Sequence, residues 1–402
     1  MLKFNSPQDN TVIINATNIG YKLNGIGTYT LNIINELAKL ETELNFIIYL
    51  NRSCKLYIDK ISFPNNFSFK WVSGWVSPDK KFFGHLLRLI YSNYLAVKHP
   101  FYLQFNTSPL EVCFFKSNQI VMVHDIIPLL FKQFHKKQYL FFKYLKYILK
   151  NVRMIITPSD YTKQLVVENY QLDEEKIQVS HLGVNREAAM ISSRSNSISP
   201  YILYIGRINR MKNIERIIKS FVIVSERKNI NMIVVGDDRK QFFYYIDQLK
   251  CSNNVRDKII FKQNVSHEEK IALIKNASLF LYPTQFEGFG LPPIEAMDLG
   301  CPVIVANNSS MPEICGSAAF YVNANDENEI ANGISEVLTN AQLRQQLIEN
   351  GLENVQRFSW EKTAHHHLMI LEDVLKLQQQ SKKIHKMIFH PGLERGEILR
   401  RF

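Results

Sequence analysis

Little in this chain points to a metal, disulfide or membrane-spanning architecture. Its five cysteines, Cys54, Cys113, Cys251, Cys301 and Cys315, are odd in number and scattered, and no CxxC pair occurs. That pattern argues against a disulfide framework or a zinc site and implies a reducing compartment. There is no GxxxxGK[ST], so this is not a P-loop protein, and there is no HExxH. His365, His366 and His367 are consecutive. On one helix they splay by about 100° each and cannot share a metal, so they read as a solvated patch. No run approaches the roughly 20 apolar residues of a membrane span. The opening MLKFNSPQDNTVIINATNIG lacks the apolar core of a signal peptide. The expectation is a cytoplasmic protein.

Acid is the other scarcity. Residues 51–150 hold 15 lysines and arginines against 4 acids, which accounts for the formal charge of +11 and leaves the rest of the chain neutral. The excess is interleaved with aromatics in residues 80–105 and 131–153. The second segment, FKQFHKKQYLFFKYLKYILKNVR, has seven basic residues and no acid. Phe134, Phe141, Leu145, Ile148 and Leu149 form an apolar stripe at helical spacing, with Lys136, Lys143 and Lys150 on another face. Two readings stay open: a surface helix packed on its own sheet, or a helix lying on an anionic membrane surface. Nucleic acid is not an expected partner, because no recognised nucleic-acid motif is present.

What the chain has in quantity is alternation. At 402 residues it is too long for one ordinary core, and 46% apolar with 21% charged residues describes a globular protein. Thr11–Ala16, Phe46–Leu50, an apolar run from Gln119, Met154–Pro158 and Ile177–Val184 read as strands between helical patterns. The serine-rich stretch REAAMISSRSNSISP at 186–200 is the clearest linker. The pattern restarts with strands Tyr201–Ile205, Met232–Gly236 and Lys258–Phe261 and with helices Asn213–Arg227 and Glu268–Ala277. Strands alternating with helices in both halves imply an α/β protein with two doubly wound parallel sheets. The domains are then 1–185, a linker at 186–200, and 201–359. Residues 360–402 follow, a long helical pattern ending in a basic tail.

The candidate site residues stand on loops after strands. Gly25 and Gly27 follow the first strand, as a phosphate cradle or simply a tight turn. His124 and Asp125 end the strand QIVMV, and the C-terminal ends of strands are where open α/β sheets bind ligands. A lone histidine is equally often structural. Gly206–Lys212 (GRINRMK) adds Arg207 and Lys212, a planar fork and a mobile point charge. Both suit phosphate oxygens, and both also suit a solvated basic loop. The most informative stretch is a strand at Leu279–Tyr282, a loop over Pro283–Leu291, a helix from about Pro293 to Leu299 that stops at Gly300, and a strand at Pro302–Ala306. Gly288 and Gly290 let the backbone approach a ligand, and the helix N-terminus offers N–H groups and partial positive charge. Two acids, Glu287 and Glu295, are spaced E-x7-E. An acid in a first helical turn favours the helix dipole, which is a bland reading of Glu295. Glu287, between an aromatic and a glycine, has no such local reason.

Together these motifs resemble a retaining glycosyltransferase of the GT-B fold, family 4, glycosyl transferases group 1. The resemblance runs from Gly25-Ile26-Gly27, through His124-Asp125, GRINRMKN and FEGFGLPPIEAM, to Phe358-Ser359-Trp360. It implies two Rossmann-like domains facing a central cleft, the first binding acceptor and the second nucleotide sugar, with the last helix crossing back to the first. By the resemblance, Arg207 and Lys212 neutralise the donor diphosphate, Glu295 holds the ribose hydroxyls, and Gly27 lets the first loop approach the phosphates. Glu287, with the backbone of Gly288, Phe289, Gly290 and Leu291, faces the donor sugar, and His124 sits by the anomeric centre. No metal or other cofactor is implied. HDIIPLLF is similar to mannosyl-transferring relatives, which favours GDP-mannose over a UDP-hexose. The implied activity is hexose transfer from a nucleotide-diphosphate sugar to a glycan or lipid-linked glycan in surface polysaccharide or lipopolysaccharide assembly, peripheral on the inner membrane face. The alternatives are a non-catalytic nucleotide-sugar-binding protein of the same fold and a UDP-glucose or other UDP-hexose transferase.

Overall fold

The computed structural model describes residues 10–186, 199–249 and 252–388. The expected linker lies almost wholly outside the described residues, as do the basic tail from residue 389 and Cys251. The four other cysteines are free and buried.

The first domain opens with β1 (Thr11–Asn15), buried along its whole length as a central parallel strand must be. Helix α1 (Gly25–Leu37) follows, then β2 (Asn45–Asn51), α2 (Lys55–Ile58) and β3 (Phe67–Val72). A long α3 (Lys81–Lys98) leads to β4 (Leu103–Asn106), β5 (Gln119–Met122), α4 (Ile127–Leu130) and α5 (Lys136–Leu149). The domain's sheet closes with β6 (Met154–Thr157), α6 (Asp160–Tyr170) and β7 (Ile177–Val179). Its seven strands lie in the order β3-β2-β1-β4-β5-β6-β7, and every pairing is parallel.

The second domain repeats the plan. It runs β8 (Tyr201–Ile205), α7 (Ile214–Ser225), β9 (Asn231–Val235), α8 (Arg239–Gln248), α9 (Asn253–Asp257) and β10 (Ile259–Lys262). Then come α10 (His267–Asn276), β11 (Leu279–Tyr282), α11 (Leu291–Asp298), β12 (Val303–Ala306), α12 (Met311–Cys315) and β13 (Ala319–Val322). Helices α13 (Glu327–Thr339) and α14 (Ala341–Asn354) complete it. The strand order is β10-β9-β8-β11-β12-β13, again all parallel. Ile214, Ile217, Ile218, Phe221 and Val224 put one helical stripe of α7 into the core. In each sheet the strand order reverses once, between β1 and β4 and between β8 and β11. Such reversals open a crevice at the carboxyl ends of the strands.

The last helix, α15 (Trp360–Ile388), crosses back and packs on α1. The rings of Trp360 and His367 lie tilted against Tyr29, with centroids 6.4 and 5.9 Å away. This corrects the reading of the three histidines as a solvated patch. His365 is exposed, but His367 is fully buried, with Nδ1 donating to the Thr363 carbonyl at 2.7 Å and Nε2 accepting from the Tyr29 hydroxyl at 2.7 Å. Burial pushes its pKa down to about 3, so the ring is neutral.

Two other expectations change. The Gly25–Gly27 segment is not a loop: the helix starts at Gly25, and the Asn24 side chain caps it by accepting from the Gly27 N–H at 2.8 Å. In α5, Leu145 and Leu149 are buried and Phe141 and Ile148 half-buried against the domain's own core, so that stripe packs on its sheet. Phe134 lies outside the helix and is exposed. A different face of α5 exposes Leu140, Tyr144 and Tyr147, and a longer exposed apolar face lies on α3, where Phe83, Ile90, Tyr94 and Val97 recur at helical spacing and all face solvent.

Candidate active site

The site forms where the two switch points face each other. From the second domain comes the loop after β11. Gly290 has φ of 95°, a left-handed conformation that favours glycine, and it turns the chain into α11. Two of the first three helical residues are Pro292 and Pro293, which have no N–H. The backbone donors at this end therefore come from Gly288 to Leu291. The loop is tied from beneath: Ser310 Oγ donates to the carbonyls of Glu287 at 3.0 Å and Phe289 at 3.2 Å, and the Glu287 N–H donates to Ser309 Oγ at 3.1 Å. Phe289 is buried and meets Phe358 edge-on.

Lys212 reaches this loop from the turn after β8. Its Nζ pairs with Glu287 Oε1 and lies 3.3 Å from the Tyr282 hydroxyl. The pair is mostly buried, and its contacts fix both side chains at the mouth of the crevice. Next to Lys212, Asn213 takes a left-handed conformation and donates its amide to the carbonyls of Pro283 at 2.9 Å and Ala324 at 2.6 Å. That bridge holds the β8 and β11 loops at a fixed spacing. Arg207, from the same turn, is 68% exposed at its side chain, and its Nε stands 3.8 Å from Asp237 Oδ2. Glu295 sits one helical turn into α11 and accepts from Lys270 Nζ at 2.6 Å. Its small neighbouring cavity is also lined by Thr28, His267 and Trp360.

The first domain contributes His124 after β5. A carbonyl can only accept, so the 2.9 Å bond to the Thr107 oxygen places the proton on Nε2. Burial pushes the His124 pKa down to about 4, so the ring is neutral and Nδ1 is its acceptor nitrogen. Tyr29 stands edge-on to the ring at 4.7 Å. Asp125 beside it accepts from the Ile127 N–H at 2.9 Å, and burial raises its pKa.

The two domains meet at Gly288. A Cβ there would lie 2.2 Å from the His124 carbonyl oxygen, so only glycine permits this approach. Ser159 and Thr162, at the start of α6, donate their hydroxyls to the Gly288 carbonyl at 2.6 and 3.1 Å. A second clasp lies alongside. Glu313 accepts from the N–H groups of Asp160 and Tyr161 at 2.9 and 3.0 Å and from His181 Nε2 at 3.0 Å. Burial would raise the Glu313 pKa, but these hydrogen bonds outweigh it and hold it low. Asp160, His181 and Glu313 are also the only described side chains grouped closely enough to share a metal ion. Three N–H donors already occupy the Glu313 carboxylate, so the cluster reads as an interdomain clasp.

The structure thus brings His124, Gly288, Glu287 and Lys212 together. Arg207 and Glu295 stand apart from that group on the same domain face, and Gly27 lies across the cleft in the first turn of α1. Sequence reasoning missed Thr107, Asn213, Ser159, Thr162, Glu313 and His367. Ser159 also caps α6, its hydroxyl accepting from the Thr162 N–H. The others act through long-range contacts that no local pattern encodes.

A family model for glycosyl transferases group 1 matches residues 185–354, and one for glycosyltransferase family 4 matches residues 23–188. The chain is 28% identical over 335 residues to O-antigen chain mannosyltransferase RfbU of Salmonella typhimurium, covering 81% of this chain and 90% of that one. Sucrose-phosphate synthase from Thermosynechococcus elongatus shares the fold with a TM-score of 0.72 at 18% identity, covering 92% of this chain and 100% of that one. Anabaena HepE in complex with UDP and glucose does so with a TM-score of 0.66 at 14% identity, covering 90% and 99%.

Proposed function

The chain belongs to glycosyltransferase family 4, the glycosyl transferases group 1, with the GT-B fold, and it is a hexosyltransferase; on that premise we propose that it moves mannose from GDP-mannose to a lipid-linked glycan acceptor at a membrane surface, with retention at the anomeric carbon. The observation that carries the site assignment is the contact of His124 and Gly288 across the cleft, with Lys212 and Glu287 beside it. RfbU, by name an O-antigen chain mannosyltransferase, supports the choice of mannose and of polysaccharide assembly.

In this reading the bond from C1 of the sugar to the diphosphate oxygen breaks, and negative charge gathers on the diphosphate. Arg207 and Lys212 take up that charge in place of a divalent ion, helped by the N–H groups of Gly288 to Leu291. Lys212 then exchanges part of its contact with Glu287 for the phosphate. Glu287 and the backbone of Phe289 and Gly290 face the sugar hydroxyls, while Glu295 with Lys270 holds the ribose. Gly27 keeps the first turn of α1 slim where it faces the phosphates. The acceptor hydroxyl bonds to C1 from the side the diphosphate leaves, and its proton passes to a diphosphate oxygen. His124, neutral with Nδ1 unprotonated, accepts a sugar hydroxyl near the reacting carbon.

Two features support a lipid-linked acceptor. A cavity of about 730 Å³ opens beside Arg207 between α3 and the start of α5, walled by Phe82, Leu86, Phe134 and Phe141 and edged by Lys136 and Lys137. Apolar walls with a cationic rim and no carboxylate suit a phosphate ester of a long-chain alcohol better than a free sugar chain. Beside it lies the exposed apolar face of α3, in the region that carries the chain's positive excess, a pairing suited to anionic lipid. No helix among the described residues is long and apolar enough to cross a membrane.

The test is a screen of donor hydrolysis across GDP- and UDP-sugars, with and without EDTA. Turnover of GDP-mannose, unaffected by EDTA, is expected. Preference for a UDP-hexose would overturn the donor assignment, and loss of turnover in EDTA would overturn the metal-free one. Flotation with anionic and neutral vesicles tests the surface, and no binding to either would sink it.

A further inference from the structure

Arg88 of α3 and Glu111 of the β4–β5 loop form the most deeply buried ion pair among the described residues, with side chains 1% and 0% exposed. Arg88 Nε donates to Glu111 Oε1 at 3.1 Å, Nη1 donates to the Val76 carbonyl at 3.0 Å, and Nη2 meets His85 Nδ1. On its other oxygen Glu111 accepts from Ser108 Oγ at 2.5 Å and from Asn18 Nδ2 at 3.3 Å. Asn18 Nδ2 also donates to Thr107 Oγ1 at 2.8 Å. The directions are fixed. A carboxylate only accepts, and the single hydroxyl proton of Thr107 goes to the Asn15 carbonyl at 3.1 Å. Both partners therefore need an N–H from Asn18, and its amide has one orientation. The chain ends at Thr107, whose carbonyl holds the Nε2–H of His124.

A buried pair of this kind is not needed for stability. Well-packed apolar residues in its place are often neutral or stabilising. What the relay does is lock the loops after β1 and β4 to each other and to α3, at the switch point beside His124. We infer that Arg88, Glu111 and Asn18 are positioning residues for the transfer reaction, setting the Thr107 carbonyl and through it the tautomer and orientation of His124. None of the three needs to touch substrate. Arg88 faces inward from the helix that turns Phe83, Ile90 and Tyr94 outward, so the relay starts on the element that carries the exposed apolar face. The inference rests on the reading of His124 as a cleft residue of the transferase.

The test uses the full chain with 15N-labelled histidine, the His124 signals being assigned with a His124→Asn variant. The double variant Arg88→Met with Glu111→Leu replaces the pair by apolar groups of similar volume. Its melting temperature is expected to stay close to the parent's. Its kcat is expected to fall at least about 10-fold with donor KM within about twofold, as misplaced groups cost rate rather than binding. Its His124 nitrogens are expected to leave the pure Nε2–H pattern. Arg88→Lys, which can still reach the carboxylate, should recover part of kcat. If the double variant fails to fold, Asn18→Ala removes only the amide link and should shift the same nitrogens. An unchanged tautomer with unchanged kcat in a folded variant overturns the inference. A shifted tautomer in a protein that turns over no nucleotide sugar leaves the relay standing and overturns the transferase reading instead.

Discussion

In the second domain the groups at the switch point are charged and stand on loops directly after strands: Arg207 and Lys212 after β8, Glu287 after β11. In the first domain the equivalent positions after β1, β4 and β5 carry Asn18, Thr107 and His124, all neutral and all held by side-chain hydrogen bonds. Apart from Asp125 beside His124, the first domain's charges lie elsewhere, among them one buried pair beneath the site and the lysines of α5. One sheet plan has thus been fitted out twice. On the proposed roles, the second domain would meet the diphosphate with cations at the crevice itself, and the first would meet the acceptor with shape, a neutral ring and a surface to dock on.

That contrast breaks most sharply at Lys212. Lys212→Ala removes a crevice cation and leaves Glu287 unpaired. Initial-rate kinetics should show kcat/KM falling by about 10²–10³, the scale of losing one transition-state charge contact. A loss of less than about tenfold would mean that the second domain's charge is not the working part.

Acid should separate the domains next. Burial holds His124 and His367 at about 4 and about 3. Between those values and the ordinary 6.5, the unfolded chain binds protons that the folded one refuses. Their contribution is therefore complete above about pH 6.5 and drains as pH falls. Going from pH 7 to pH 5 costs on the order of 2 kcal/mol for each. The second domain's one histidine, His267, is exposed. Calorimetry at pH 5 should show the first domain with α15 melting ahead of the second, and His367→Gln should narrow the gap. Coincident melting at both pH values would erase this distinction.

Gly288→Ala tests the contact between the halves. The added methyl meets a main-chain carbonyl that cannot swing aside. The cleft should open slightly and transfer should fall on the order of tenfold, since catalytic geometry tolerates little displacement. Small-angle scattering with kinetics would check both. The smallest effect is expected on α3. Ile90→Glu with Tyr94→Glu should lower vesicle binding severalfold and leave the melting temperature unchanged, because both side chains already face water. Unchanged flotation would move the docking surface off α3.

The second domain was also the more legible one. Strands β8 and β11 coincide with the apolar runs Tyr201–Ile205 and Leu279–Tyr282, because strands covered on both faces are written as unbroken hydrophobic stretches. The positions of the charged loop residues were readable because loops at the carboxyl ends of the strands in an open parallel sheet line its crevice. Strand β4 was not. It reads LQFN, and its buried Gln104 donates to Asn106, which donates in turn to Gln119. Nothing in four residues announces partners more than ten positions away. His367 was misread for a related reason: three histidines in a row suggest solvent, and only the packing of α15 on α1 shows that the third faces Tyr29. The positions of Gly25 and Gly27 were found, but not that Asn24 caps a helix there.

The return of α15 has a consequence for synthesis. The first domain's sheet is complete once Val179 has formed, yet the helix that covers Tyr29 and α1 begins at Trp360 and runs to Ile388. At 5–20 residues per second, the interval between Arg186 and Ile388 leaving the ribosome is roughly 10–40 s. For that time the hydroxyl of Tyr29 has no His367 and the apolar side of α1 has no cover. The second domain, drawn from one continuous stretch, closes in the meantime. The half made first is the half finished last.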